Sequence, residues 1–269
     1  MNSRTRVAIV IPAYNEGATI ADLAARCLQQ QAHLIVVDDA STDDTASRLH
    51  GLPLTLLRNA CNLGKGASLR RGIGHACSLG VSAIITLDGD GQHRPEDIPR
   101  LLAAHAEQPD AIVIAARLRQ RAAAPRLRRF ANAQADFWIS WAAGRALRDS
   151  QSGFRLYPAS LFQSRAPRSE GFVFESELLI EACWRSVPIV DIPIDTLYHA
   201  QARASHYRPT ADTLHIIRMV AGRLLCRRLH LQGLIRSLTE PQHAAPAEPE
   251  GRGRRRVGAT PSSRLSAED

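Results

Sequence analysis

Residues 6–115 switch repeatedly between a strand period and a helix period, and that alternation limits the chain to few folds. RVAIVI (6–11) is a continuous apolar run, and EGATIADLAARCLQQ (16–30) sets Ile20, Leu23, Ala24, Cys27 and Leu28 on one helical stripe. LIVVDD (34–39) repeats the strand signal, and STDDTASRLH (41–50) opens with a Ser/Thr/Asp cluster suited to a helix cap. LTLLRN (54–59) and AIITLD (83–88) read as strands around a helix at 66–79. PEDIPRLLAAHAE (95–107) starts with Pro and acids, as helix N-termini prefer, and AIVIAAR (111–117) is a further strand. The pattern predicts the α/β class: a mostly parallel twisted sheet with helices on both faces.

From residue 117 the character changes. The segment RLRQRAAAPRLRRFANAQADFWISWAAGRALR (117–148) carries eight Arg against one acid, Asp136, a local charge of +7. GFRLYPASLF (153–162) reads as a strand and a short helix, FESELLIEACWRS (174–186) as an amphipathic helix, and PIVDIPI (188–194) as a last strand. An Arg-bearing helical stretch follows from about 210 to 238. Residues 240–269 are rich in Pro, Gly, Arg and Ser without apolar periodicity and read as disordered. The expected organisation is one domain over 1–209, an amphipathic helical segment over 210–239 and a disordered basic tail over 240–269.

Composition narrows the function classes. At 269 residues and 45% apolar content the chain can bury a sizeable core. Its formal charge is +8, and its cations are 33 Arg to a single Lys, Lys65. Cys27, Cys61, Cys77, Cys183 and Cys226 show no CxxC or metal-ligand spacing, which argues for a reducing compartment. The apolar run after the basic start is too short for a signal peptide, and no window approaches the ~20 apolar residues of a membrane span. A cytoplasmic protein is expected. The basic balance raises nucleic-acid binding, but no recognised motif appears and the Arg cluster is interleaved with Phe and Trp.

In a parallel sheet the strand C-termini line one crevice, where ligands bind. Four strand ends carry polar groups here: PAYNE (12–16), VDDAS (37–41), DGDGQ (88–92) and Arg117. Asp38 and Asp39 read either as helix caps or as crevice carboxylates. Asp88 and Asp90 either decorate a Gly turn or hold a hard divalent cation through oxygen, with Gln92 as a third oxygen.

Five blocks, VAIVIPAYNEGATI, IVVDDASTDDT, NLGKGASLRRGI, ITLDGDGQHRPEDI and DSQSGFRLYP, resemble successive blocks of the family 2 glycosyltransferases. Within them the sequence is most similar to the dolichol-phosphate and polyprenyl-phosphate sugar transferases, in order over roughly residues 6–195. The resemblance implies a GT-A fold, a UDP- or GDP-sugar donor, Mg²⁺ or Mn²⁺, and inversion at the anomeric carbon. It implies that Pro12, Tyr14 and Glu16 cradle the base and ribose, and that Asp38 contacts the nucleoside. Lys65 would flank the nucleotide, Gly89 would line the donor site, and Asp88, Asp90 and Gln92 would surround the metal that bridges the diphosphate.

A lipid-linked acceptor needs different help depending on its nucleophile. A hydroxyl requires a general base, whereas a phosphate monoester is already ionised and requires cations to position it. Arg117, Arg155 and Arg203 are the candidates for that phosphate, an Arg fork matching its geometry. Glu175 and Glu177 are the candidates for a base toward a hydroxyl on a glycolipid, polyene lipid or polysaccharide. Asp88, Asp90, Arg117 and Glu175 thus stand as the catalytic candidates. The run RASHYRP (203–209) departs from the Ser-Lys pair common in the polyprenyl-phosphate enzymes, and Ser205, His206 and Arg208 stand there instead. A lipid acceptor would be met peripherally, at the inner membrane face. Phe130, Phe137, Trp138 and Trp141 edged by Arg126, Arg128, Arg129, Arg145 and Arg148 suit an interfacial helix, as does the 213–238 stretch. An ordinary helix packed on the sheet explains the aromatics equally well. A catalytically silent nucleotide-sugar-binding adaptor is the remaining alternative, which intact Asp88 and Asp90 disfavour.

Overall fold

The computed structural model describes residues 6–30, 32–117, 126–163, 173–195, 209–226 and 231–239. The expected tail, Arg203 and the RASHYR run lie outside these residues. The strands are β1 (Val7–Ala13), β2 (His33–Asp38), β3 (Thr55–Arg58), β4 (Ala83–Thr86), β5 (Ile112–Ala116), β6 (Arg155–Pro158) and β7 (Ile189–Pro193). They form one sheet in the order β3-β2-β1-β4-β6-β5-β7. All neighbours are parallel except β6, which runs antiparallel to both β4 and β5.

The apolar strands are covered on both faces, so alternate residues of one run serve two cores. On β1, Ala8 and Val10 face one cluster while Val7, Ile9 and Ile11 face the other. The second cluster is closed by α1 (Ile20–Leu28) and α4 (Ile98–Glu107), through Ile20, Leu23, Ile98 and Leu101. The first is closed by α3 (Lys65–Ser78), α5 (Arg126–Ala143), α6 (Val173–Trp184) and α7 (Pro209–Cys226). A short α2 (Thr45–Arg48) follows β2, and α8 (Leu231–Thr239) ends the described chain.

Two expectations change here. The helix α6 is not amphipathic: Val173 through Ile180 are all buried, because helices pack on it from several sides. Its charged residues are paired inside that packing. Glu177 Oε1 is ion-paired to Arg223 Nη2 of α7, Glu181 Oε1 accepts from the same nitrogen at 2.7 Å, and the guanidinium lies 5.2 Å from the Trp184 ring centroid. The Arg-bearing stretch from 210 also divides by face. Ile216, Val220 and Leu224 enter the core, whereas Ile217 and Leu225 stay exposed.

The antiparallel β6 decides what reaches the crevice. It enters the sheet from the side where β4 and β5 end, with Arg155 opposite both Thr86 and Ile114. Its approach, Asp149 to Gly153, therefore lies beside the C-terminal ends of β4 and β5.

Candidate active site

The walls of the crevice are loops tied to one another. After β1 the chain turns through Asn15, at φ 56°, whose backbone N–H donates to Ser41 Oγ at 2.9 Å and whose Oδ1 accepts from Thr42 N at 2.8 Å. Glu16 N–H donates to Thr45 Oγ1 at 2.7 Å, and Thr19 Oγ1 donates to the Gly89 carbonyl at 2.8 Å. Gly89 passes so close to β1 that a Cβ there would stand 3.1 Å from Pro12 O and 3.3 Å from Glu16 Cγ. Pro12, Glu16 and Gly89 are thus brought together, with half-buried Tyr14 on the same loop.

Asp38 and Asp39 take separate tasks. Asp38 is fully buried, accepts Ser41 N–H at 2.9 Å on Oδ1, and has Arg58 Nε 3.0 Å from Oδ2. Asp39 caps no helix. It accepts Asn59 Nδ2 at 2.6 Å, Leu63 N at 2.9 Å and Gly64 N at 2.7 Å, and so shapes the loop before α3. Gly64, at φ 85°, makes the turn that delivers Lys65 as the first residue of that helix.

The centre of the site is an ammonium shared by two acids. Lys65 Nζ lies 2.7 Å from Asp88 Oδ1 and 2.7 Å from Glu175 Oε2. Asp88 Oδ2 faces His93 Nε2 at 3.8 Å, and the Gly153 backbone presses on the same carboxylate, because a Cβ at Gly153 would collide with its oxygens. Burial pushes the Asp88 carboxyl up, but the Lys65 ammonium outweighs it and holds the group well below the usual carboxylate range. Burial likewise opposes the Lys65 charge, and Asp88 and Glu175 more than restore it. Glu175 Oε1 is buried without a hydrogen-bond partner.

Asp90 stands differently. Its Oδ1 accepts Gln92 N–H at 3.0 Å, and among the described residues no cation pairs with it directly. Burial and then the charge of Asp88 push its carboxyl up. Among the described residues no three His, Cys, Asp or Glu side chains gather as a metal cluster. The oxygen donors that this turn carries are the carboxylates of Asp88 and Asp90 and the side-chain amide of Gln92. That set, holding a carboxylate short of positive charge, fits a hard divalent cation.

The arginines expected at an acceptor phosphate are placed unlike one another. Arg117, at the end of β5, forks onto Asp149 through Nε at 2.8 Å and Nη2 at 2.7 Å, and its backbone N–H joins the same carboxylate at 2.8 Å. Arg155 is fully buried. It donates to the carbonyls of Ser152 at 2.7 Å, Glu175 at 2.9 Å and Ser150 at 2.7 Å, and to Tyr157 Oη at 3.3 Å. A guanidinium buried in the sheet and spent on backbone carbonyls braces the crevice floor. Glu177, turned toward Arg223, likewise stands away from the Lys65 centre, whereas Glu175 belongs to it. The residues not anticipated are His93, Gly153 and Asp149. The last two sit in the block DSQSGFRLYP, where the apolar pattern gives no hint of what they face.

Residues 8–164, more than half of the chain, match the family model described as glycosyl transferase family 2. A UDP-N-acetylglucosamine–dolichyl-phosphate N-acetylglucosaminyltransferase of Methanococcus voltae is 27% identical over 224 residues, 74% of this chain and 89% of that protein. A polyprenol monophosphomannose synthase of Mycolicibacterium smegmatis is 27% identical over 203 residues, 70% of this chain and 76% of that protein. Among solved structures, the glucosyl-3-phosphoglycerate synthase of Mycobacterium tuberculosis in complex with Mn²⁺, UDP and glucosyl-3-phosphoglycerate matches with a TM-score of 0.63. The identity is 20%, over 84% of this chain and 80% of that one, a likeness that carries the fold. With its D-x-D crevice on a sheet of this topology, the chain belongs to glycosyltransferase family 2 and is a glycosyltransferase of GT-A fold.

Proposed function

We propose that this enzyme moves a hexose from a UDP- or GDP-sugar to a polyprenyl phosphate or a related lipid-linked acceptor, with inversion, using Mg²⁺ or Mn²⁺. The observation that carries the reading is the charge of the centre: the Lys65 ammonium is shared by Asp88 and Glu175, and Asp90 stands near enough to raise the count to three carboxylates for one ammonium. Such an excess of carboxylate suits a divalent cation bound between Asp88, Asp90 and Gln92. That cation would neutralise the departing nucleoside diphosphate, the main electrostatic demand of the transfer. Pro12, Tyr14, Glu16, Asp38 and Gly89 would form the donor wall. An oxygen of the acceptor phosphate would attack the anomeric carbon as the bond to the donor's β-phosphate oxygen breaks. Arg117 and Arg203 would orient that phosphate, Arg117 by exchanging part of its Asp149 fork.

The relatives named for dolichyl-phosphate and polyprenol acceptors support the lipid phosphate. The unpartnered Glu175 Oε1 favours the second reading, a hydroxyl acceptor with Glu175 as base. Among the described residues no helix is long and apolar enough to cross a membrane. A lipid acceptor would therefore be met at the surface, at the cytoplasmic face, through the outward faces of α5, α7 and α8, the last two forming the amphipathic 210–239 segment.

The test is donor turnover with a panel of UDP- and GDP-sugars, Mg²⁺ or Mn²⁺, with and without a short polyprenyl phosphate. Metal-dependent transfer to the phosphate supports the first reading, and hydrolysis of donor without transfer supports the second. Asp90→Ala is expected to lower metal-dependent turnover by about 10²–10³ while leaving thermal unfolding within a few degrees. Wild-type turnover by that variant removes the metal from this position.

A further inference from the structure

We infer that Lys65 is an interlock: without donor its ammonium occupies Asp88 against the metal, and the donor diphosphate must draw it away before the cation binds tightly. The inference rests on the reading of Asp88 and Asp90 as metal-binding carboxylates and adds an order of events to it.

Four observations lead there. Lys65 Nζ already occupies Asp88 Oδ1, so a cation approaching that oxygen meets a like charge at contact distance. Asp88 is flanked on two further sides, since a Cβ at Gly153 would stand within 2.5 Å of both its oxygens and His93 stands beyond Oδ2. Lys65 has a second anchor, Glu175 Oε2, so leaving Asp88 does not strand the ammonium in a buried place. Finally, Lys65 opens the 14-residue α3, where the positive end of the helix dipole disfavours a cation unless anions sit close by. A diphosphate would supply such an anion, and Lys65 would then release Asp88 to the metal.

Composition points the same way. With 33 Arg in the chain, this is the single position that carries Lys. An arginine fork would clasp two carboxylates in a fixed plane, whereas an ammonium on a flexible stem exchanges one anion for another without a geometric demand. The side chain required here is one that lets go.

The experiment is Mn²⁺ binding, followed by electron paramagnetic resonance of the free ion, with and without saturating UDP. Wild type, Lys65→Met and Lys65→Gln are compared, the Gln variant keeping hydrogen-bond donors for the two acids if Met impairs folding. In wild type UDP is expected to tighten Mn²⁺ by tenfold or more, within the roughly 5–150-fold of ordinary coupling between sites. In the Lys65 variants Mn²⁺ alone binds about fivefold or more tightly than in wild type. Their UDP enhancement shrinks by the same factor without vanishing, because the phosphates still ligate the metal. Variants no tighter than wild type toward Mn²⁺ alone overturn the interlock, as does an equal gain with and without UDP, which is simple charge removal. Asp90→Ala separates this from failure of the metal reading. If wild type with UDP binds no Mn²⁺, or Asp90→Ala binds it equally well, the metal site itself falls and the interlock with it.

Discussion

Asp88 is confined by three neighbours of different kinds, and the least conspicuous is a hydrogen atom. The Gly153 backbone lies where a methyl group would collide with both oxygens of the carboxylate. Gly153→Ala must therefore push Asp88 off Lys65 or bend the entry to β6. We expect turnover to fall by more than tenfold and affinity for metal-loaded UDP to drop with it, while circular dichroism stays that of wild type. Unchanged metal–nucleotide affinity, measured calorimetrically, would show that the Asp88 position is immaterial. The motif LDGDGQ announced carboxylates at a strand end, and the structure delivers them there. What it could not announce is Gly153, since the contact joins positions 65 residues apart in sequence through the direction of β6. The same blindness put Arg155 with the acceptor candidates. Its SGFR setting gives no sign that the strand enters the middle of the sheet, where an arginine becomes a buried brace for three carbonyls.

At the scale of elements, the parallel strands and their helices were legible because their apolar runs are local and each core contact repeats the local period. The reversed β6 was not: four residues state that a strand exists and say nothing of its direction or neighbours. The faces of α6 were misread for a related reason. The pattern reads as an amphipathic helix, but Arg223 of α7 covers Glu177 and Glu181. Glu177→Gln is accordingly expected to cost about 1–3 kcal/mol in denaturant unfolding and to leave turnover within about threefold. A collapse of turnover at wild-type stability would return Glu177 to the chemistry. On β7, Asp191 carries a second consequence of burial. Its Oδ1 lacks a hydrogen-bond partner, and burial pushes its carboxyl up to about 6, with Arg148 and Arg145 opposing and Asp149 and Asp136 reinforcing. The folded protein thus holds this proton more firmly than the unfolded chain. The stability it contributes is full below about pH 4 and is lost as pH rises through 6. Asp191→Asn should leave stability at pH 4 nearly unchanged and raise it by about 1–3 kcal/mol at pH 7.5. A variant no more stable at pH 7.5 would show that Asp191 is solvated after all.

For the whole molecule, the question is how a chain of charge +8 without a described spanning helix would meet the lipid acceptor proposed for it. Among the described residues the large exposed apolar side chains concentrate on the late helices, Ile217 and Leu225 on α7 and Leu231, Ile235 and Leu238 on α8, with Leu56 of β3, Leu63 before α3 and Trp138 of α5 as the scattered others. Leu231, Ile235 and Leu238 recur at helical spacing, so α8 presents an apolar stripe outward, while Arg236 reaches back to the Gly144 carbonyl of the segment after α5. Solubility gains nothing from such a stripe, whereas a helix lying in a bilayer interface requires it, and the basic balance adds attraction to anionic headgroups. The sequence offered both the aromatics of α5 and the 213–238 stretch for this task. Phe137 packs edge-on against Trp138 and Trp141 stacks on Trp138, with Ile139 and Ala142 of the same helix in the core, so among the described residues α8 offers the wider exposed apolar face. The protein is expected to sediment with vesicles containing phosphatidylglycerol and to be released by salt, binding phosphatidylcholine vesicles far less. Ile235→Glu with Leu238→Glu should weaken that partition by tenfold or more, since each side chain buries about 1.5–3 kcal/mol of apolar surface when fully inserted. The same double variant should raise KM for a long-chain polyprenyl phosphate in vesicles and leave KM for a short soluble one unchanged. Equal losses on both acceptors would mean that α8 supports the fold rather than the membrane, and undiminished vesicle binding would move the docking surface elsewhere on the molecule.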